Sequence, residues 1–311
     1  QRIVQDKIAA AQEGLKAANI GVVVMDPHNG EVLAMASDMP FDCNDPSNIQ
    51  ALLNSYSEQE YTEEMLNAMS QEEMVDALAG LWKNYCISYT YEPGSTAKSL
   101  TVAAALDEAR ISTSDIFVCD GGDWAGGWYI SCNNGHAHGT QSLTKTLMES
   151  CNDALMQIAR KLGHDNMEKY QKLFGFGKKT GIDLPGEENG LLNSGRDEAT
   201  LTTNGFGQNF NVTMIQQAAA YCALVNGGTY YQPHIVRQIK NSSGAVLKEI
   251  DKVEVRQMIS AETSAYLREA LLEVVDNGTG KNARVDGYEV WGKTGTAEIL
   301  GRDNENFLLS F

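Results

Sequence analysis

An α+β fold, an antiparallel sheet packed against helices with a mostly helical subdomain, is what the residue pattern of this chain predicts. Three observations predict it. Hairpin-like segments of apolar and β-branched residues lie near both ends of the 311 residues. The middle, roughly 95–225, is dominated by apolar runs of helical length, several closed by glycine. The regular strand–helix–strand alternation that builds a parallel sheet is missing.

Taken in order, the chain opens with the amphipathic helix "RIVQDKIAAAQEGLKAAN", a lead-in over 1–19. "IGVVVMDPHNGEVLAMAS" is a hairpin, with apolar runs Ile20–Met25 and Val32–Ala36 around an Asp-Pro-His-Asn-Gly turn. From Asp42 to about Thr90 the sequence is polar with helical pieces, and Ser95 to Glu108 reads as a buried helix. "GGDWAGGWYISCNNGHAHG" is rich in Gly, Asn and aromatics and reads as an irregular loop. "SLTKTLMESCNDALMQIARKLG" reads as helix, break, helix, and "GIDLPGEENGLL" as a punctuated loop. "NVTMIQQAAAYCALVNGG" is an apolar helix, and a hairpin turning at Asn241–Gly244 follows. "SAETSAYLREALLEVVDNG" is an amphipathic helix ending at Gly278, and "YEVWGKTGTAEIL" alternates like a strand.

Composition narrows the function. A net charge of −17 argues against a nucleic-acid partner, which needs clustered Lys and Arg. No apolar run approaches the ~20 residues that span a bilayer. The start at Gln1 and the stop in "NENFLLSF" read as cuts at both ends of something longer, a single domain with 20–311 as its body. Six cysteines are too sparse for a disulfide scaffold and suit a reducing compartment, an anaerobic organism or a local metal site.

Three patterns carry chemistry. Ser95 and Lys98 lie three apart on a helix and share a face. A serine needs a base to become a nucleophile, and burial at the positive end of a helix can make a lysine that base. The plain alternative is an N-cap serine with a surface lysine. Ser150-Cys151-Asn152, at a helix break, offers a hydroxyl and an amide, or else a polar helix cap. Lys293-Thr294-Gly295-Thr296 on a strand projects both threonines to one face and leaves the other bare at the glycine. Such an edge can dock a substrate backbone, or belong to an ordinary hairpin.

In the order Ser-x-x-Lys, Ser-x-Asn, Lys-Thr-Gly, these patterns match the signature set of penicillin-binding proteins and serine β-lactamases. "GVVVMDPHNGEVLAMAS", "LWKNYCISYTYEPGST", "GIDLPGE", "NVTMIQQAAAYCALVNGG" and "VVDNGTGKNARVDGYEVWGKTGTAE" extend the likeness. From about Ile20 onward the chain resembles the transpeptidase domain of monofunctional (class B) penicillin-binding proteins. It resembles in particular the elongation, division and sporulation members of Gram-positive anaerobes. The resemblance implies Ser95 as acylated nucleophile, Lys98 as its base, Ser150 as proton relay and Asn152 as holder of the substrate amide. Lys293 would tune the relay, Thr294 and Thr296 would take the terminal carboxylate along the strand opened by Gly295, and the N–H groups of Ser95 and Thr296 would form the oxyanion hole.

By the same resemblance the substrate is the D-Ala-D-Ala end of a peptidoglycan stem peptide, β-lactams acylate Ser95, and the chemistry requires no cofactor. A membrane anchor would hold the full protein with its catalytic domain on the extracytoplasmic face, beside cell-wall partners such as a glycosyltransferase. The family continues past Lys-Thr-Gly with further strands and a terminal helix, so the C-terminal strands are expected to be incomplete here. Rival readings are a serine β-lactamase, for which Glu187 or Glu188 would have to activate water, a β-lactam sensor, and a scaffold.

Cys119, Cys132, His136 and His138 fall within twenty residues and are the ligand types of tetrahedral zinc. Asp120 is a spare ligand and Cys151 an outside one. A Cys119–Cys132 disulfide, or unpaired thiols with surface histidines, are the alternatives. A zinc here would be structural, because serine chemistry needs no metal.

Overall fold

The structure, a computed structural model, describes all residues except 16, 18, 40, 55–60, 133–134, 299–306 and 311. After helix α1 (Arg2–Leu15), strands β1 (Gly21–Met25) and β2 (Val32–Ser37) pair antiparallel from Gly21↔Ser37 to Met25↔Val32. Helices α2 (Glu63–Ala68) and α3 (Gln71–Trp82) build a satellite core on Leu52, Leu66, Leu78 and Leu81. A capping box between Ser70 and Glu73 starts α3 and satisfies its first amides. Helix α4 (Tyr85–Ser88) and strand β3 (Thr90–Tyr91) then lead to the centre of the molecule.

That centre is α5 (Ala97–Asp107), buried without interruption from Ala97 to Ala105. Its alanines let neighbouring helices approach closely, so a helix that is buried on every side can sit at the hub. The segment expected to be irregular folds instead as nested antiparallel hairpins. Strands β4 (Ile116–Cys119), β5 (Gly122–Ala125), β6 (Trp128–Ser131) and β7 (Gly139–Ser142) pair as β4–β7 outside and β5–β6 inside. Gly126 and Gly127, both at positive φ, make the inner two-residue turn. That backbone suits the right-handed twist of a hairpin.

Helices α6 (Leu143–Met148) and α7 (Asn152–Leu162) follow, interrupted at Ser150 as the sequence suggests, then α8 (His164–Leu173) and α9 (Glu198–Gly205). Strand β8 (Val212–Thr213) pairs with β3, and α10 (Met214–Val225) packs under the first hairpin. Strand β9 (Thr229–Tyr231), the hairpin of β10 (Gln238–Lys240) and β11 (Val246–Glu249), and β12 (Glu254–Gln257), which returns to β9, precede the long helix α11 (Ala261–Asn277). Last come β13 (Gly295–Glu298) and β14 (Phe307–Ser310), also antiparallel.

Every described strand pair is antiparallel, and the arrangement is α+β. One expectation needs trimming. The alternation from Tyr288 onward suggests a strand through Lys293, yet β13 begins only at Gly295. Lys293 is buried just ahead of it, outside the ladder. The main core unites α5, α7, α10 and α11 through residues such as Leu155, Ile158, Leu224, Leu267 and Val274. Each fully buried side chain of this kind contributes about 1.5–3 kcal/mol.

Candidate active site

Gly94-Ser95-Thr96 forms one tight turn that runs into α5, so Ser95 sits at the head of the buried helix. The turn is braced from α10. Tyr221 Oη donates to Thr96 O (2.7 Å) and Gln217 Nε2 to Thr96 Oγ1 (3.0 Å), while Thr96 Oγ1 donates to Pro93 O (2.6 Å).

One turn on, Lys98 is fully buried. Its Nζ donates to Ser150 O (2.5 Å), Ser150 Oγ (3.1 Å) and Asn152 Oδ1 (2.7 Å). Burial disfavours the ammonium and lowers the Lys98 pKa to about 8, with the neighbouring thiols of Cys151 and Cys132 pulling weakly the other way.

Ser150 occupies the break between α6 and α7 at φ +50, a left-handed conformation that a non-glycine residue adopts only when its surroundings demand it. The effect is to aim both its carbonyl and its hydroxyl inward. Ser150 Oγ also accepts from Lys293 Nζ (2.9 Å), so one hydroxyl bridges two lysines. Lys293 is buried, and burial first, then the charge of Lys98, hold its pKa well below the ordinary value. Asn152 is pinned at both ends of its amide, since Nδ2 donates to Ser131 O (3.1 Å). A neutral amine, a hydroxyl and a second amine in a row can take a proton and return it elsewhere.

The third motif closes the site. Gly94 has φ +54, and a Cβ there would lie 2.5 Å from Thr296 O. Only glycine lets the start of β13 lie backbone-to-backbone against the Ser95 turn. Thr296 is exposed, Gly295 buried and Thr294 half-buried, with Thr294 Oγ1 bonded to Thr279 Oγ1 (3.3 Å). The structure therefore gathers Ser95, Lys98, Ser150, Asn152, Lys293 and the stretch 294–296 from three separate segments. Gly94, Tyr221 and Ser131 were not singled out from sequence; the Pro-Gly turn before Ser95 was the only local signal for the first.

The cysteine–histidine group assembles with one exchange. Ligand atoms of Cys119, Cys132, His138 and Cys151 all lie within 4.8 Å of one another. His136 is not among them: it is exposed, and only its carbonyl approaches Cys119 Sγ (3.9 Å). The register Cys119↔Gly139 in the outer hairpin sets His138, not His136, beside Cys119. Cys119 Sγ is 3.6 Å from Cys132 Sγ and 3.4 Å from His138 Nδ1, and Cys132 Sγ is 3.7 Å from Cys151 Sγ. The cysteines are free thiols, not a disulfide.

Tetrahedral zinc, with bonds of about 2.3 Å to sulfur and 2.0 Å to nitrogen, requires ligand separations of about 3.5–3.8 Å. The donor set fits. Two of the sulfurs also face the positive end of α7, Cys132 Sγ accepting from Asp153 N and Cys151 Sγ capping through Ala154 N, both at 3.4 Å. Hydrogen bonding from Cys151 and the Asp153 N–H holds the Cys132 thiol well below its ordinary pKa.

Residues 20–309 match the penicillin binding protein transpeptidase domain, and the chain belongs to that family. Among relatives it is similar to stage V sporulation protein D of Bacillus subtilis, 37% identical over 302 residues, covering 96% of this chain and 43% of that protein. It is 25% identical to the peptidoglycan D,D-transpeptidase MrdA of Acinetobacter baumannii, covering 94% of this chain and 43% of that one. The chain thus spans less than half the length of these relatives. Among solved structures, penicillin binding protein 3 of Mycobacterium tuberculosis, complexed with aztreonam, superposes with a TM-score of 0.79 at 26% identity, covering 99% of this chain and 64% of that one.

Proposed function

We propose that this chain is a serine D,D-transpeptidase domain that cross-links peptidoglycan stem peptides through an acyl-enzyme on Ser95. The observation that carries the reading is Ser150 Oγ, held at 3.1 Å from Lys98 Nζ and 2.9 Å from Lys293 Nζ one helical turn from Ser95. Neutral Lys98 takes the proton of Ser95 Oγ, which attacks the carbonyl of the penultimate D-Ala. The N–H groups of Ser95 and Thr296 stabilise the oxyanion. The C–N bond breaks, and the terminal D-Ala leaves as an amine, protonated through Ser150 between its two lysines. An acceptor amine on a neighbouring strand then attacks the ester, gives its proton back along the same route and frees Ser95. Asn152, fixed by Ser131 O, orients the donor amide, and Thr294 and Thr296 bind the terminal carboxylate along the edge opened by Gly295.

Hydrolysis in the manner of a β-lactamase needs a carboxylate free to activate water. Glu187 is committed elsewhere: Oε1 accepts from Thr180 N (2.6 Å) and Thr180 Oγ1 (2.5 Å), and Oε2 from Gly181 N (3.1 Å). That removes Glu187 as a water-activating base. β-Lactams would acylate Ser95 in place of the stem peptide.

Catalysis needs no cofactor, but the Cys119–Cys132–His138–Cys151 group is proposed to hold a structural zinc. Because Cys151 lies between Ser150 and Asn152, the metal would fasten the nested hairpins to the catalytic turn. Among the described residues no helix is long and apolar enough to cross a membrane. An anchored parent protein with this domain on the extracytoplasmic face, working beside a glycosyltransferase, completes the reading.

Intact mass after brief exposure to a penicillin tests it, followed by transfer from a stem-peptide donor to an acceptor amine. A stable adduct absent in Ser95→Ala, together with amide product, is expected. Rapid turnover of the drug without an adduct would sink it.

A further inference from the structure

We infer that the inner hairpin, Gly122–Ser131, carries a saccharide subsite that receives the glycan end of the substrate strand through Trp124 and Tyr129. The inference rests on the transpeptidase reading and adds to it a second point of contact. Trp124 is 63% exposed and Tyr129 53%, an unusual outlay of aromatic surface on so short a segment. The two rings pack edge to face with centroids 5.6 Å apart. As cross-strand partners they share one face of the hairpin.

The mount is rigid. Arg160 from α7 donates to Asp123 Oδ2 (2.6 Å) and to Trp124 O (2.7 Å), and its Nε to Glu198 Oε1 (2.8 Å). Glu198 Oε2 also accepts from Gly126 N at the turn (3.4 Å). The rings are therefore held out by a braced backbone rather than left on a loose loop.

The row points at the active site. Tyr129 leans along the hairpin toward the Gly122↔Ser131 pair, where its Oη would meet a Cβ on Gly122 at 2.9 Å. Glycine leaves the room in which the ring lies. Ser131, in that pair, holds Asn152 through its carbonyl. Two rungs separate Ser131 from Trp124, about 7 Å. The four stem residues between the sugar and the acyl carbon reach at most about 14 Å when extended, so the sugar that bears the stem would be carried past Ser131 and over the rings.

The two carboxylates that brace the hairpin, Asp123 and Glu198, are both paired with Arg160, and Asp123 alternates to the face opposite the rings. Flat, neutral aromatic faces suit the C–H face of a pyranose ring.

The test is equilibrium binding to the full chain carrying Ser95→Ala, so that nothing turns over. The probes are a soluble disaccharide pentapeptide (GlcNAc-MurNAc bearing the stem) and the same stem without sugars. The disaccharide ligand should bind more tightly than the bare stem, and Trp124→Ala and Tyr129→Ala should each weaken it about tenfold while the bare stem changes far less. Trp128→Ala, an equal aromatic loss on the opposite face of the same hairpin, is the matched control and should leave the sugar preference intact. Equal affinity of the parent for both probes, or an equal loss for both in Trp124→Ala, overturns the subsite and leaves a protein partner as the occupant of this face. Penicillin acylation of the Ser95-bearing chain is read separately, so failure of the nucleophile assignment is not confused with failure of the subsite.

Discussion

Lys98 offers the sharpest test of the proposed chemistry. Burial lowers its pKa from 10.5 to about 8. At pH 7 about a tenth of such amines are neutral, against roughly 0.03% for an ordinary lysine, a gain of about 300-fold in available base. The second-order rate of Ser95 acylation by a penicillin should therefore climb almost tenfold per pH unit between pH 6 and 7. It should bend near 8 and level off above. Rapid-quench mass spectrometry over pH 6–9.5 reads this directly.

Lys98→Arg keeps the charge but holds its proton throughout the range. It should be slower by about 10²–10⁴ and show no rise. A parent rate independent of pH, or an arginine variant with the parent's profile, would refute Lys98 as the base. The same shift acts on stability. Between about pH 8 and 10.5 the unfolded chain binds the Lys98 proton and the folded chain does not, so stability rises with pH across that window. The contribution is present in full above 10.5, is lost as pH falls through 8, and amounts to about 3 kcal/mol. Comparing urea unfolding of the parent and Lys98→Met at both edges of the window isolates it.

Three further outcomes follow from the geometry. Gly94→Ala places a Cβ 2.5 Å from Thr296 O in a left-handed backbone. A strain of about 1 kcal/mol plus displacement of β13 should cut acylation about 100-fold with the far-ultraviolet spectrum unchanged. Unchanged acylation would mean that the strand does not depend on this close approach. Ser150→Ala removes the hydroxyl between the two lysines and should lower transfer to an acceptor amine by about 10²–10⁴, measured by product chromatography. A near-parental rate would remove Ser150 from the relay. Elemental analysis of the purified chain should find one zinc per molecule, lost in His138→Ala and Cys132→Ser and kept in His136→Ala. Equal metal content in both histidine variants would contradict the ligand set.

Much of the site was legible because its motifs are local. Ser95 and Lys98 are neighbours on any helix, and Ser150 and Asn152 flank a helix break that composition alone suggests. What sequence could not rank was the histidines. His136 and His138 are equivalent as letters, and only the pairing of β4 with β7 brings His138 to Cys119. Cys151 was visible only as an outside ligand, because its distance from Cys132 is set by the docking of α7 onto the hairpins. The hairpins themselves had a signal, the Gly126-Gly127 pair between apolar runs, but the surrounding Asn, Gly and His residues made the segment look irregular. The strand through Lys293 was overextended because alternation does not reveal that a buried lysine has turned out of the ladder.

Sequence by itself determined the α+β class, the family resemblance and the order of the chemical groups along the chain. Hydrophobic period, turn residues and motif spacing are properties of a few consecutive residues, and these survive without a fold. Tertiary structure decided what those groups can do. The basicity of Lys98 and Lys293 depends on the water removed around them and on a hydroxyl 52 residues from one of them. The place of Thr296 depends on a missing Cβ at Gly94. Desolvation, charge and close contact come from segments far apart in the chain, so they exist only once it has folded.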